Sequence, residues 1–339
     1  MTELNGQRGR QRPSIYDVAR VAGVSHMTVS RVLNEHPNIK PATRERVMRA
    51  IVDTGYTPSS IARALATKKA MRIGVIVDSP VQFGPNSTLR ALERAAREAG
   101  YAVSAYSITD GEGRGIDTGA IELVTEGVDA LCVIAPRVSS LDLLSELKLN
   151  LPRILIKSEP HPGMHTAGVD QHAGAVLAVD HLVSLGHRSI VHVAGPRDWY
   201  DARVRERGWR DALTAAGISE ARHVVGDWTS DFGYEFAREF EVGEATAVFA
   251  ANDQMALGII HGFSERGLRV PEDISVVGFD DLPDARHFLP PLTTVRQDFA
   301  ALGALAMRSI ATAISGTDTA MHEKIDPRLK VRASTTARR

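Results

Sequence analysis

Cysteine is nearly absent: the 339-residue chain carries one, Cys132. A single thiol excludes an intramolecular disulfide framework and a cysteine-rich metal site. Its setting, Ala130-Leu131-Cys132-Val133-Ile134, reads as a strand in which the thiol is a small buried side chain, as in proteins of a reducing compartment. Long apolar runs are missing too. No stretch reaches the roughly 18 residues that a membrane-spanning helix needs. Arg8, Arg10 and Arg12 stand near the start without an apolar segment behind them, so no signal peptide is read and a cytoplasmic protein with no membrane partner is expected. Catalytic signatures are also lacking. Gly111-Glu112-Gly113-Arg114-Gly115 has neither the lysine nor the spacing of a phosphate-binding loop. His161, His165 and His172 are spread around proline and glycine, unlike a helical metal pair. No serine elbow or cysteine–histidine signature occurs. Hence no catalytic residue, metal or cofactor is expected, and the chain does not read as an enzyme.

What is present is unevenly distributed. Residues 1–70 hold 12 basic and 5 acidic side chains, out of 40 and 41 in the whole chain. A basic head thus precedes an acidic body, a balance that suits nucleic acid as a partner. The head contains Ser14-Ile15-Tyr16-Asp17-Val18-Ala19-Arg20-Val21-Ala22-Gly23-Val24-Ser25-His26-Met27-Thr28-Val29-Ser30-Arg31-Val32-Leu33-Asn34. Ser14 and Ser25 suit helix caps. Val18, Ala19 and Ala22 line one helical face, and Val29, Val32 and Leu33 another. Gly23 stands where a left-handed turn residue is needed. The second helix is left with a face of His26, Met27, Ser30, Arg31 and Asn34, side chains able to read base edges and phosphates. This is a helix-turn-helix, and double-stranded DNA is the partner it implies. A third helix starts at Pro41 and stops at Gly55.

The chain thus divides into a disordered basic arm over 1–13, a helix-turn-helix domain over 14–57, a hinge helix and linker over 58–70, and a core over 71–339. In the core, apolar runs alternate with amphipathic stretches. Strands are expected at Arg72–Val77, Val103–Tyr106, Ala130–Ala135, Ile154–Ile156, Ile190–Val193, Ala247–Ala250 and Ile274–Gly278. Helices are expected at Leu89–Ala99, Ala173–Leu185, Arg203–Ala216 and Gln254–Arg266. Such alternation predicts two doubly wound parallel sheets, an α/β core behind an all-α head. Ligands of open parallel sheets bind at the carboxyl ends of the strands, so a cleft between the two units is the expected binding site.

Four motifs in order carry a family resemblance. They are Tyr16-Asp17-Val18-Ala19 … Ala22-Gly23-Val24-Ser25 … Thr28-Val29-Ser30-Arg31-Val32, then Ala251-Asn252-Asp253-Gln254-Met255-Ala256-Leu257-Gly258, then Asp273-Ile274-Ser275-Val276-Val277-Gly278-Phe279-Asp280-Asp281, and Pro290-Pro291-Leu292-Thr293-Thr294. Over residues 14–335 the chain resembles the lac repressor family (LacI/GalR). The resemblance implies two periplasmic-binding-protein-like subdomains joined by three chain crossings. One would comprise 71–169 and 299–326, the other 170–298 and 327–339.

On the DNA side the resemblance implies contacts from Tyr16, Ser25, His26, Met27, Thr28, Ser30, Arg31 and Asn34. Arg31 suits a bidentate contact to guanine, and Met27 a thymine methyl. Tyr16 packing within the head is the competing reading. In the hinge, Ser59, Ala62 and Leu65 match, and paired leucines would wedge into the minor groove of a palindromic operator. That mechanism needs a homodimer, because the protein two-fold must match the site. No heptad-bearing tail follows Arg332, so a dimer rather than a tetramer is expected.

On the effector side Arg205, in Asp201-Ala202-Arg203-Val204-Arg205, matches the arginine that holds sugar hydroxyls; its fork suits adjacent hydroxyls. Asn252 and Asp280 match further hydroxyl positions, and Trp228 an apolar stacking face. Gln297, Phe299, Asp78, Gln82 and Phe83 complete the implied lining. Lys157 and Asp201 also fall there but differ from the lac repressor's own residues, as do the nearby aromatics Trp199 and Tyr200. Asp280 and Asp281 are not read as a catalytic pair, since adjacent extended residues point to opposite faces. The reading that emerges is a dimeric repressor released from its operator by a small sugar, a mono- or oligosaccharide. The alternative is a regulator of the same architecture tightened on DNA by a purine or other metabolite. A sugar-binding transport protein would share the core but not residues 14–66.

Overall fold

The computed structural model describes residues 13–33, 36–56, 69–79, 81–109, 115–134, 137–219, 222–243, 245–316 and 320–338. The chain divides into two units, Met1–Ala70 and Met71–Arg339. The basic arm apart from Pro13, Asn34, and the hinge positions Ser59, Ala62 and Leu65 lie outside the described residues.

In the first unit, helix α1 spans Ile15–Ala22, α2 His26–Leu33 and α3 Pro41–Thr54. Ser14 starts α1 through the Asp17 carboxylate, which accepts from the Ser14 amide at 2.9 Å and from its hydroxyl at 2.7 Å. A negative group at that end also suits the helix dipole. Gly23 ends α1 in the left-handed region, at φ +63°, where a side chain would be strained. Val18, Ala19 and Ala22 then meet Val29, Val32, Val47 and Ala50 in one small core.

The second unit carries two six-stranded sheets. Strands β1 (Arg72–Asp78), β2 (Ala102–Ile108), β3 (Ala130–Ile134), β4 (Arg153–Ile156), β5 (His165–Val169) and β11 (His322–Ile325) form the first, in the order β11-β5-β4-β3-β1-β2 and parallel throughout. Strands β6 (Ile190–Ala194), β7 (His223–Val225), β8 (Ala247–Ala250), β9 (Ser275–Asp280), β10 (Thr293–Arg296) and β12 (Arg328–Lys330) form the second, in the order β12-β10-β9-β8-β6-β7. There β12 alone runs antiparallel, on the edge beside β10. Apolar clusters cover both faces of each sheet, which is why the central strands read as unbroken apolar runs.

The helices are α4 (Phe83–Glu98), α5 (Ile116–Thr125), α6 (Val138–Glu146), α7 (Gln171–Ser184), α8 (Tyr200–Ala215), α9 (Ser230–Glu239), α10 (Asp253–Glu265) and α11 (Phe299–Ile314). The chain passes between the sheets three times: after Val169, after Arg296 and after Ile325. On its second passage α11 packs on α4 and β5 of the first sheet. Among the described residues no helix is long and apolar enough to cross a membrane.

One buried polar group stands out. His192 on β6 is stacked between Phe249 and Trp209, with centroids 4.7 and 5.4 Å away. Its Nδ1 lies 2.9 Å from the Phe249 carbonyl, so Nδ1 carries the proton. Burial pushes its pKa down to about 3.

Candidate functional site

On α2 the buried Val29 and Val32 face inward, and the other side carries the predicted reading residues. Ser25, His26, Met27 and Arg31 are exposed; Thr28 and Ser30 are partly buried. The Ser25 hydroxyl accepts from the Thr28 amide at 3.1 Å, capping the helix, and lies 3.0 Å from the Thr28 hydroxyl. Met27 is 56% exposed, a thioether with no cover of its own. Tyr16 is 65% exposed. Its ring tilts against His26, 5.0 Å between centroids, so it stands beside the reading helix and not inside the head's core.

In the second unit a cleft opens between the two sheets. It encloses about 640 Å³ counted with its open mouth. Predicted residues Gln82, Phe83, Lys157, Asp201, Arg205, Trp228, Asn252, Asp280, Gln297 and Phe299 all line it. Its floor is a closed ring of polar contacts. Arg205 Nε donates to Gln171 Oε1 at 2.8 Å. Gln171 Nε2 donates to Gln297 Oε1 at 2.8 Å, and Gln297 Nε2 to Asp280 Oδ1 at 2.6 Å. The ring closes where Arg205 Nη2 lies 3.6 Å from Asp280 Oδ1. Arg205 also donates to the Ala251 carbonyl and lies over the Phe279 ring, 3.8 Å from its centroid. Its guanidinium is thus held flat and pre-oriented.

The electrostatics follow from burial. Desolvation lowers the pKa of Arg205, and Asp280 and Asp201 partly restore it. Asp280 is raised to about 6 by burial, against the pull of Arg205 and Gln297. Burial likewise raises Asp201, whose carboxylate accepts from the Ser158 hydroxyl at 3.2 Å.

The walls are aromatic. Trp228 meets Trp199 edge to face, with centroids 5.6 Å apart, and Phe83 meets Phe299 in the same way at 5.6 Å. Gly195 leaves room for the indole: a Cβ there would lie 2.1 Å from the Trp228 ring. Trp228 has φ +75°, and its carbonyl accepts from Asn252 Nδ2 at 2.9 Å. Asn252 Oδ1 accepts from the Met255 amide at 2.9 Å. Asn252 therefore caps α10 and holds the Trp228 backbone while it borders the cleft. Two buried polar atoms among the lining residues have no partner among the described residues, Trp228 Nε1 and Gln254 Oε1.

Two expectations are corrected. Asp78 stands at the carboxyl end of β1, but it is not part of the cleft wall. Arg137 Nε lies 3.1 and 3.0 Å from its two oxygens, and the residue is 1% exposed. Asp280 and Asp281 do diverge, but not through extended backbone: their φ values are +112° and +56°. Asp280 joins the cleft ring, while Asp281 accepts from Arg332 Nη2 at 2.5 Å. Sequence reasoning also missed Gln171 and Gln254. Gln171 opens α7 directly after the first crossing; polar residues at a crossing were the available signal.

Residues 14–59 match the model of bacterial regulatory proteins of the lacI family, and residues 179–335 that of a periplasmic binding protein-like domain. Head and core together define a transcription regulator, and the chain belongs to the lacI family. It is 34% identical over 293 residues to the lactose operon repressor of Escherichia coli (strain K12), covering 86% of this chain and 81% of that protein. It is 33% identical over 334 residues to the HTH-type transcriptional repressor PurR of Haemophilus influenzae (strain ATCC 51907 / DSM 11121 / KW20 / Rd), covering 95% and 98%. Among solved structures it superposes on a lac repressor dimer bound to operator and the anti-inducer ONPF with a TM-score of 0.87, at 32% identity, covering 96% of this chain and all of that one.

Proposed function

We propose that this chain is a homodimeric transcriptional repressor that binds a palindromic operator and is released by a small sugar in the core cleft. His26, Met27 and Arg31 read base edges from the exposed face of α2, and Tyr16, Ser25, Ser30 and Asn34 hold register on phosphates. Thr28 backs this face through its contact with Ser25. Ser59, Ala62 and Leu65 serve the minor groove, with Leu65 as wedge. The likeness to a repressor dimer on its operator supports the DNA half of this reading.

The observation that carries the sugar half is a pair of unpartnered buried atoms on residues that line the cleft, the Trp228 indole N–H and the Gln254 amide oxygen. One is a donor and the other an acceptor, and a hydroxyl can satisfy either. Beside them stand the Arg205–Asp280 ring and the faces of Trp199 and Trp228, the polar edges and apolar walls that a sugar ring needs. Release follows if the sugar binds the cleft arrangement of the free protein better than that of the operator-bound one; only differential affinity shifts the population.

A thermal-shift screen of the purified full chain against sugars, sugar phosphates and purines tests this. A ligand at 100 times its dissociation constant adds about 2.7 kcal/mol of stability. A sugar that stabilises wild type but not Arg205→Ala, and that releases operator DNA, is the expected result. A purine that stabilises the protein and tightens its hold on DNA would replace this reading with that of a corepressor-dependent regulator.

A further inference from the structure

The chain after β3 and the start of α8 meet beside the cleft. Arg137 is anchored in the first subdomain: Nε lies 3.1 and 3.0 Å from the two oxygens of Asp78, and Nη2 donates to the Ser79 hydroxyl at 2.8 Å. From there it reaches the second subdomain. Its guanidinium lies over the Trp199 ring, 5.4 Å from the centroid, and Nη1 stands 4.0 Å from Asp198 Oδ2. The backbones join as well. Arg137 and Trp199 form an isolated antiparallel bridge, and the Val138 amide donates to the Asp198 carbonyl at 2.9 Å. The Ser139 hydroxyl donates to Asp198 Oδ2 at 3.0 Å. The chain after β4 grips the same helix, where Ser158 donates to Asp201 at 3.2 Å and Arg207 to Glu159 at 2.6 Å. Trp199, Asp201 and Arg205 line the cleft, whereas Arg137 and Asp198 do not.

This seam lies away from the covalent links between the sheets. The three chain passages use β5 and β11 of the first sheet and β10 and β12 of the second, the two strands at one end of each. Counted from that end, Arg137 follows the fourth strand of its sheet, β3, and Asp198 the fifth of its own, β6. The passages thus form one side of the joint and the Arg137–Asp198 seam the other, so opening about the passages must part the seam. Trp199 would then lose its backing, and Trp228 its edge-to-face partner. We infer that Arg137 and Asp198 are positioning residues of the effector site. They hold Trp199 and the start of α8 against the first sheet and set the fraction of molecules in which the cleft is assembled, without touching the ligand. A ligand binds more weakly in proportion as its competent state is less populated. Asp78, which is no part of the cleft wall, acts here as the anchor of Arg137. This rests on the reading of the cleft as the effector site, and holds for a sugar and a purine alike.

Hydrogen exchange of the full-length, ligand-free protein, read by mass spectrometry, tests this. The Val138 amide donates across the seam to a backbone carbonyl that Asp198→Ala retains, so its exchange reports opening and not loss of the acceptor. The Asp198 side chain is 39% exposed, and its replacement removes no core contact. In Asp198→Ala, exchange over 137–141 should quicken about two- to tenfold, the worth of one hydrogen bond. Acrylamide should quench tryptophan emission more strongly, while β3 and β8 stay as protected as in wild type. Arg137→Lys keeps a cation beside Asp78 but loses the fork, and should fall between the two. Unchanged exchange over 137–141 overturns the inference. So does equal loosening of β3 and β8, which marks general destabilisation. Calorimetry with D-glucose, D-galactose, D-ribose and adenine separates this from the effector reading. A probe that binds wild type and is lost in Arg205→Ala should bind Asp198→Ala about two- to tenfold more weakly. Undiminished affinity there overturns the inference and leaves the cleft reading standing. A probe whose binding survives Arg205→Ala places the effector elsewhere and overturns both. If none of the four binds, the exchange result decides.

Discussion

Asp280 allows the balance of forces in the cleft to be measured without any ligand. Its carboxyl has an ordinary pKa of 3.8 and is raised to about 6 in the fold, because burial outweighs the opposing pull of Arg205 and Gln297. An acid whose pKa is higher folded than unfolded takes up a proton on folding. Its contribution is therefore unfavourable above pH 6, where the buried group must be charged, and is relieved as pH falls from 6 toward 3.8. Integrated from pH 7 to pH 5, the relief is about 1 kcal/mol. Asp280→Asn removes this term but keeps an oxygen that can accept from Gln297. The stability gap between variant and wild type should therefore move by about 1 kcal/mol in favour of wild type between pH 7 and pH 5. Urea unfolding of both proteins at pH 7, 6 and 5 gives that gap. Other titrating groups cancel in the comparison, provided the denaturant slopes agree. A gap that stays constant with pH would refute the reasoning. A carboxyl held below its ordinary value by Arg205 would give that constant gap, and would favour the variant only as pH falls below about 4.

Other expectations follow from the same geometry. His192, pushed from 6.5 to about 3, must stay neutral in the fold; its contribution is complete above pH 6.5 and is lost as pH falls toward 3. Between pH 7 and 5 that loss is about 2 kcal/mol, so His192→Phe should unfold with less acid sensitivity than wild type in thermal melts across that range. An unchanged pH slope would contradict the buried neutral imidazole. Gly195→Ala places a methyl 2.1 Å from the Trp228 ring. The indole must move, which should cost about 1–3 kcal/mol, change the tryptophan emission and weaken sugar binding; wild-type emission and affinity would show that the ring has slack. Arg332 donates to Asp281 at 2.5 Å and to the Leu292 carbonyl at 2.7 Å, beside two non-glycine residues at positive φ. Such conformations persist only where neighbours over-determine them. Arg332→Ala should therefore lower effector affinity about tenfold by loosening Asp280, a cost on the scale of one charge-assisted bond. Calorimetry with the effector found in the screen would detect this, and an unchanged affinity would remove Arg332 from the support of the site.

The head could be read nearly residue by residue because its determinants are local. Gly23 takes the left-handed turn, and the spacing of Val18, Ala22, Val29 and Val32 marks the buried faces. Ser14 is the N-cap of α1 as expected, in a capping box in which its amide and hydroxyl both donate to Asp17. Central strands such as Ile73–Val77 and Ala130–Ile134 were legible because both their faces are covered. The edge strand β2 and the near-edge strand β6 were expected too, but five shorter strands were not. His165–Val169, His223–Val225, Thr293–Arg296, His322–Ile325 and Arg328–Lys330 are short and partly polar, and register with neighbours defines them. At the site, strand-end logic placed Asp78 in the cleft, because nothing near it in sequence announces Arg137, 59 residues away. Gln171 was missed for the same reason. Its partners Arg205 and Gln297 are 34 and 126 residues distant, and only the tertiary fold brings them together.

The threefold passage of the chain between its sheets also governs the order in which the protein can mature on the ribosome. Strands β1 to β5 emerge early, but Leu302, Leu305, Ala306 and Ile310 of α11 belong to the same apolar cluster as Ile73, Leu92 and Ile154. The outer strand β11 arrives later still, at residue 322. More than a hundred residues of the other subdomain are synthesised first. The nascent first sheet must therefore wait with an uncovered apolar face, the kind of surface that recruits chaperones. The second sheet gains its edge strand β12 only a few residues after the first is finished. Neither subdomain can be completed co-translationally ahead of its neighbour. A premature stop anywhere before residue 322 would thus leave both unfinished, and degradation of the whole core rather than a half-active fragment is the outcome to expect.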